Sequence, residues 1–419
     1  MSTDHVLIVV GAAVLGLGLP STLIKRVWLS VPLLAMGLGL LLGPEGLGVL
    51  RVNVLHDEHK ILEELARITL SLSLVSTGLQ FQRSDLRANW ARGGVLLTLG
   101  MLGMWLATSL GAWLLLDVEP WVALLIGAIL TPTDPVVASS LVTGSLAEAN
   151  LPRWLRRSLQ LEAGANDGLA ILFVLVSALV LTLPTDDPGT IAGRVATQLA
   201  VAMVCGLVIG FLAAKLVDFA EDHQTASAGF FLVSALALAL LTLGAVHALG
   251  GTGVLASFIA GMTFSLGLGE RYAEELEHMQ SALEHLVLVP VFLFFGAVLP
   301  WDDWAMLGSS GVAFALWAVV VRRPAGAALS LTLTKTPRAG VAFLSWYGPI
   351  GVAAVYYVLF VERYALEEFE RIFAAATLAI ALSVVVFSVT ATPGVRAYAG
   401  RSPFTTLRHP LRKGVDEAP

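Results

Sequence analysis

The sequence predicts an all-α polytopic membrane protein of about 13 transmembrane helices, built as two inverted six-helix repeats with crossed discontinuous helices. Three observations lead there. First, 57% of the 419 residues are hydrophobic and only 13% are charged, whereas soluble domains carry about a quarter charged residues; mean hydropathy is +0.81. Second, apolar runs of the roughly 20 residues that span a bilayer recur along the whole chain. Third, two runs are interrupted at matching places, by Thr131-Pro132-Thr133-Asp134-Pro135 and by Tyr347-Gly348-Pro349-Ile350-Gly351.

In chain order, the first run, 5–24, opens on Asp4 and His5 where a cleaved leader would be basic. No small-residue cleavage site interrupts it before Pro20, so it reads as a retained helix. The second, 27–43, is short and holds Pro32; the third, 62–81, contains Arg67. The run 93–116 is continuous, and 119–142 is broken at Thr131–Pro135. The run 156–183 contains Glu162-Ala163-Gly164-Ala165-Asn166-Asp167, after which Leu169 to Leu183 carries no charge. The span 190–217 includes the single Cys205, which cannot form an intramolecular disulfide and packs as a small hydrophobe. Only Gly250-Gly251 separates 226–248 from 251–268. The remaining spans are 283–300, 304–322, the broken 336–361, and 370–391.

Loop charge sets the orientation. Nineteen Lys and Arg residues fall on one side and five on the other. This predicts an outside N-terminus, a cytoplasmic C-terminus and an odd helix number, and it requires a break at Gly250-Gly251. Taking helices 1–6 and 8–13 as halves around a linker helix makes the halves opposite in topology. Interrupted segments at matching positions point to a transporter site where two broken helices cross. Kinked but continuous helices are the alternative, since Pro and Gly are common in membrane helices. The net charge of -6 is spread over short loops, no basic stripe suggests nucleic acid, and no second soluble domain or soluble repeat is present.

The chemistry concentrates at Glu162, Asn166 and Asp167. A charge at the bilayer centre costs on the order of 3 kcal/mol on insertion scales, so it needs a partner, a water-filled cavity or an ion. Glu162 and Asn166, four apart, share a helix face, and Asp167 lies beside it. A dehydrated monovalent cation takes charge from Asp167 and neutral oxygens from carbonyls freed near Thr131–Asp134. Without the ion, burial disfavours the charged carboxylate and a proton neutralises it. Competition of ion and proton for one carboxylate couples their movements, and one charge in for one out makes the exchange electroneutral. Asp134 sits where half-helix ends meet and can compensate exposed N–H groups or accept from the Asn166 amide. Glu162 needs a cation, and Arg323, with Arg322 at the end of the eleventh span before Pro324, is best placed.

Other readings stand beside these. Glu162 and Asp167 can flank a cytoplasmic helix start, with the membrane run beginning at Leu169. Arg322 and Arg323 can be snorkelling anchors. Thr133, Ser139 and Ser140 are ordinarily backbone-bonded helix residues. His56-Asp57-Glu58-His59 lacks the further ligands of a metal site. His247 reads as a satisfied core residue or a pH sensor, and Glu270, Glu274, Glu275, Glu277 and Glu284 as a solvated acidic loop. No Ser/His or His-Glu-x-x-His arrangement lies within the helices, which argues against an embedded hydrolase.

Thr133-Asp134-Pro135-Val136, followed by Glu162-x-x-x-Asn166-Asp167, resembles the NhaP-type sodium/proton antiporters of the monovalent cation:proton antiporter superfamily. Gly39-x-x-x-Gly43-Pro44, Glu64-Leu65-Ala66 through Gly78-Leu79, Gly253-Val254-Leu255-Ala256 through Ala260-Gly261, Phe294-Phe295-Gly296 and Trp346-Tyr347-Gly348-Pro349 are similar too. The resemblance implies thirteen helices, a homodimer, elevator-like alternating access, no cofactor, and a transporter rather than an enzyme. It implies scaffold helices over 1–92, a core bundle over 93–183 and 301–392, a linker and further scaffold helices over 184–300, and a short tail over 393–419.

By the same matching, Asp167 binds ion and proton in turn, Asn166 and Asp134 stabilise the crossing, Thr133 offers a backbone oxygen to the monovalent cation, and Glu162 pairs with Arg323. Asn before Asp looks like the electroneutral branch. The implied setting is a cell (inner) membrane surrounded by lipid. Two positions depart from the family pattern: Ala163 stands where members often have Ser, and Ile350 where they usually have Arg. Losing that charge leaves the bundle more anionic and bears on sodium against potassium. A potassium/proton exchanger, a channel and a non-transporting sensor are the alternative functions.

Overall fold

A computed structural model describes residues 3–18, 30–50, 58–81, 90–134, 137, 145–183, 188–223, 230–268 and 288–400. The described residues form helices: α1 Thr3–Gly18, α2 Val31–Leu42, α3 Glu58–Leu79, α4 Trp90–Leu116, α5 Pro120–Leu130, α6 Ser145–Asn150, α7 Arg153–Thr182, α8 Pro188–Asp222, α9 Phe230–Ala248, α10 Val254–Leu268, α11 Leu288–Ala297, α12 Trp301–Leu331, α13 Arg338–Trp346, α14 Val352–Phe360 and α15 Phe369–Tyr398. Among the described residues, five segments are long and apolar enough to cross a membrane: Trp90–Leu116, Arg153–Thr182, Pro188–Ala220, Trp301–Leu331 and Phe369–Tyr398. This is the construction of a multi-pass membrane protein, in which each span satisfies its own backbone.

The boundaries follow local chemistry. Ser30 caps α2 by accepting from Leu33 N–H, and Pro32 falls within the first helical turn, where a missing N–H costs nothing. The break expected at Gly250-Gly251 does separate α9 from α10, although the left-handed residues are Gly250 and Gly253, with φ of 80° and 78°, a region that glycine enters freely. The fifth span stops at Leu130, and its continuation over 138–144 lies outside the described residues. The twelfth is two nine-residue helices, α13 and α14, separated by Tyr347–Gly351. Both expected interruptions are therefore real breaks in regular helix.

The eleventh span differs from expectation. It does not end before Pro324 but continues to Leu331 through a π-helical segment, Pro324–Ala328. The wider turn accommodates a residue that cannot donate a backbone bond. A second π segment, Leu96–Gly100 in α4, packs against it: a Cβ on Gly326 would lie 2.2 Å from the Gly100 carbonyl oxygen.

The main apolar core gathers α5, α7, α11, α14 and α15 around the second break, with Ile350 fully inside it. Burial is uneven in a way that suits lipid. Only 22% of the apolar window of α8 is covered, against 72% for α15. Leu207, Val208, Phe211 and Leu212 of α8 stand exposed. His247 is exposed at the end of α9 rather than held in the core, because the turn at Gly250 ends the helix beside it. His56, Asp57, Ser139, Ser140 and the glutamates from Glu270 to Glu284 lie outside the described residues. His59 is described; its ring nitrogen meets Glu362 at 3.0 Å and the ring packs on Phe373.

Candidate functional site

The two breaks meet, and α7 and α12 close around them. The backbone N–H of Asp134 in the first break donates to the Pro349 carbonyl in the second, 2.9 Å away. Thr131, Thr133, Asp134, Glu162, Asn166, Asp167, Arg322 and Arg323 are all no more than 1% exposed. Glu162 and Asp167 therefore do not flank a water-exposed helix start: α7 begins two turns earlier, at Arg153, and buries both. Burial at this depth demands partners, and most of these groups have them.

Asp134 serves amide ends. One carboxylate oxygen accepts from Val137 N–H at 3.0 Å, and the other from Val352 N–H at the start of α14. Gly351 permits this approach, since a Cβ there would lie 2.2 Å from that oxygen. A carboxylate at a helix N-terminus gains both the bonds and the dipole. The Asn166 amide does not donate to Asp134. It donates to Glu162 Oε1 one turn back at 2.5 Å, while Asn166 Oδ1 accepts from Thr133 N–H at 3.1 Å. Asn166 thus ties the first break to α7.

Arg323 sits between both breaks and α7. Its Nη1 donates to Glu162 Oε1 at 2.6 Å and to the Thr133 hydroxyl at 3.0 Å, and its Nε donates to the Leu344 carbonyl at 2.8 Å. Consecutive helical residues ordinarily point about 100° apart. Here both arginines reach the crossing, because α12 leaves regular geometry at Val321 and again from Pro324.

Arg322 is the candidate site residue to which sequence reasoning gave no separate role. It is not a snorkelling anchor. Its guanidinium donates to the carbonyls of Thr131 at 2.8 Å and Pro132 at 3.1 Å, and to the carbonyl of Gly348. Two of the carbonyls near Thr131–Asp134 expected to face an ion, those of Thr131 and Pro132, thus face an arginine. The crossing is also not short of positive charge where Ile350 stands. Ile350 packs in the apolar core with its N–H on the Ser383 hydroxyl at 2.7 Å, and Arg322 supplies the cation from α12. The available signal was a second arginine beside Arg323, ahead of Pro324, inside an apolar span.

Asp167 is the exception in this network. Among the described residues neither carboxylate oxygen has a hydrogen-bond partner, and Glu162 Oε2 is also unpartnered. The backbone carbonyl of Asp167 accepts from the Tyr357 hydroxyl of α14 at 2.5 Å, so the peptide is held while the carboxylate stays open. Ala163 is buried on the same helix and offers no oxygen. Three carboxylates and two guanidinium groups make the crossing one negative charge in excess, which one proton or one monovalent cation cancels.

Comparison with known proteins agrees with this architecture. The sodium/hydrogen exchanger transmembrane family matches residues 9–397. Na(+)/H(+) antiporter 2 of Zygosaccharomyces rouxii is 28% identical over 348 residues, 79% of this chain and 42% of its own. The K(+)/H(+) antiporter NhaP2 of Shewanella sp. (strain ANA-3) is 24% identical over 384 residues, 89% of this chain and 63% of its own. The chain spans about half the length, or less, of the first relatives it matches. The sodium proton antiporter MjNhaP1 from Methanocaldococcus jannaschii superposes with a TM-score of 0.75 at 20% identity, over 96% of this chain and 100% of that one. The family match over nearly the whole length, the shared fold and a charged crossing of two broken helices lead to one conclusion: the chain belongs to the sodium/hydrogen exchanger transmembrane family.

Proposed function

We propose that the protein is a secondary-active, electroneutral sodium/proton antiporter in which Na+ and H+ compete for Asp167. The observation that carries this reading is the Asp167 carboxylate: fully buried, without a hydrogen-bond partner, in a crossing with one surplus negative charge. Such a group cannot remain bare at low dielectric. A proton or a cation must sit on it, and the two exclude one another.

The other site residues take distinct roles. Asp134 and Arg322 hold the crossed ends, Arg323 and Asn166 hold Glu162, and Thr133 links the first break to Arg323. Since the Thr131 and Pro132 carbonyls are occupied by Arg322, the cation's oxygens come from Asp167, from the Thr133 backbone carbonyl and from water or groups that approach as the site opens. Alternating access moves the core helices, 93–183 and 301–392, against the scaffold helices of a dimer. The exposed apolar face of α8 suits lipid or a second copy. The N-terminus lies outside and the C-terminus inside a cell membrane.

Reconstitution tests the reading. Proteoliposomes with an imposed pH gradient should show sodium-dependent proton movement that Asp167→Asn abolishes. Retained exchange in that variant would overturn the assignment. Potassium is the second reading, favoured by relatives described as K(+)/H(+) antiporters. Flux in sodium, lithium and potassium across pH separates the two.

A further inference from the structure

The Asp167 carboxylate makes no hydrogen bond among the described residues, so its backbone decides where it stands. On the N-terminal side the chain is held: Asn166 is tied to Thr133 N–H and to Glu162. On the other side stands Gly168, pressed against α10, where a Cβ would lie 3.1 Å from the Leu255 Cα. Glycine leaves the Asp167–Gly168 peptide free to tilt. What holds that peptide is a hydroxyl from another helix. Tyr357 of α14 donates to the Asp167 carbonyl at 2.5 Å. The Ile171 N–H, the regular helical donor to that carbonyl, lies beside the same hydroxyl.

The tyrosine is itself fixed. It is fully buried in the apolar core, with its ring 5.3 Å from that of Tyr356. Five residues earlier, α14 starts at Val352, whose N–H is bound by Asp134. Thus α14 reaches the first break with its first amide and α7 with Tyr357. A buried phenol needs a partner wherever it lies, and any carbonyl would meet that need. Here it is met at the residue whose two carboxylate oxygens are both without a partner among the described residues. Ala163 adds no oxygen, so the site has few fixed ligands. Such a site works only when its groups are held to within about 0.5 Å by their supporting bonds.

We propose that Tyr357 is a positioning residue for Asp167: its hydroxyl pins the Asp167–Gly168 peptide, fixes the carboxylate relative to Thr133 and Asn166, and thereby sets which monovalent cation the site prefers. The proposal rests on the exchange reading of Asp167. Selection among cations depends on the number of ligand oxygens and on how firmly they keep their spacing. With the hydroxyl gone, the peptide tilts at Gly168, the carboxylate takes a range of positions, and discrimination falls. Tyr357 does not touch the ion; it acts through the aspartate.

Tyr357→Phe in the full-length protein removes the hydroxyl and keeps the ring. In proteoliposomes its half-saturation for the preferred cation should rise about five-fold, the factor that one ordinary hydrogen bond represents, with the maximal rate kept. The ratio of sodium to potassium half-saturation should move toward one. Trp317→Phe removes a comparable bond far from Asp167, from the α12 indole to the Ala107 carbonyl of α4 at 2.8 Å, and should leave both quantities at their wild-type values. Incorporating 3-fluorotyrosine at position 357 keeps the shape with a stronger donor and should lower the half-saturation. This second substitution carries the test if Tyr357→Phe does not fold.

An unmoved half-saturation and ion ratio in Tyr357→Phe, an equal shift in Trp317→Phe, or no response to 3-fluorotyrosine would overturn the role. Asp167→Asn is measured alongside. If it abolishes flux while the Tyr357 substitutions change nothing, the positioning role is lost and the exchange reading stands. If flux survives Asp167→Asn, the exchange reading is overturned and this role with it.

Discussion

Arg322 and Asp134 divide the helix ends of the crossing between them. Arg322 takes the carbonyl ends, at Thr131 and Pro132 after α5 and at Gly348 after α13. Asp134 takes the amide ends, at Val137 and at Val352 of α14. A broken helix deep in a membrane exposes a partial negative charge at one end and a partial positive charge at the other. One arginine and one aspartate compensate both breaks at once, which makes the crossing a cross-linked unit rather than two adjacent kinks.

Removing Arg322 should therefore be a stability lesion before it is a transport lesion. Arg322→Ala strands three buried carbonyls and an anionic site, and should cost about 3–5 kcal/mol. Arg322→Lys should recover part of this, because an ammonium group keeps the charge but not the fork geometry. Thermal unfolding in detergent measures both.

Glu162 and Arg323 should behave as a coupled pair. Each single substitution to alanine leaves a buried charge without its partner and should cost about 3–5 kcal/mol. The double substitution should cost clearly less than the sum of the two. Additive losses in a denaturation cycle would count against the pair as an energetic unit.

Asp167 should show the opposite pattern. Its carboxylate makes no hydrogen bond, so Asp167→Asn removes an uncompensated buried charge and should leave the melting temperature unchanged or raised. Flux should nonetheless vanish. Saturating cation should stabilise the wild type by about 2.7 kcal/mol at a hundred times its dissociation constant, and should not stabilise the variant.

Competition between cation and proton fixes the sign of the pH dependence. When protons occupy Asp167, a cation must displace one. Apparent cation affinity should then fall about tenfold for each unit of decreasing pH and level off at high pH. Flux measured against sodium at several pH values shows this as a shift in half-saturation with an unchanged maximum. An imposed membrane potential should not alter the rate, because one charge replaces another.

Much of the architecture was legible in the residues. The apolar runs, the Gly250-Gly251 break and the two Pro/Gly interruptions depend on hydropathy and backbone freedom, which act over a few neighbouring positions. The placement of Glu162, Asn166 and Asp167 in one apolar helix follows from the same local rules, and the need of a buried Glu162 for a cation pointed from there to Arg323, as the family resemblance did too. The end of the eleventh span was misjudged because proline ordinarily stops a helix, and only packing against α4 shows a π turn carrying the chain past it.

What the sequence by itself determined is the chemistry available at mid-membrane: carboxylates, an amide and two arginines beside two interrupted helices. Tertiary structure alone decided how they share it. Arg322 takes two of the carbonyls thought free for an ion, those of Thr131 and Pro132, Asn166 serves Glu162 instead of Asp134, and Asp167 is left open. These bonds join residues as far apart as 161 positions for Arg323 with Glu162 and 218 for Val352 with Asp134. No local pattern encodes such a choice, because it depends on which donors and acceptors the packed helices bring within bonding distance.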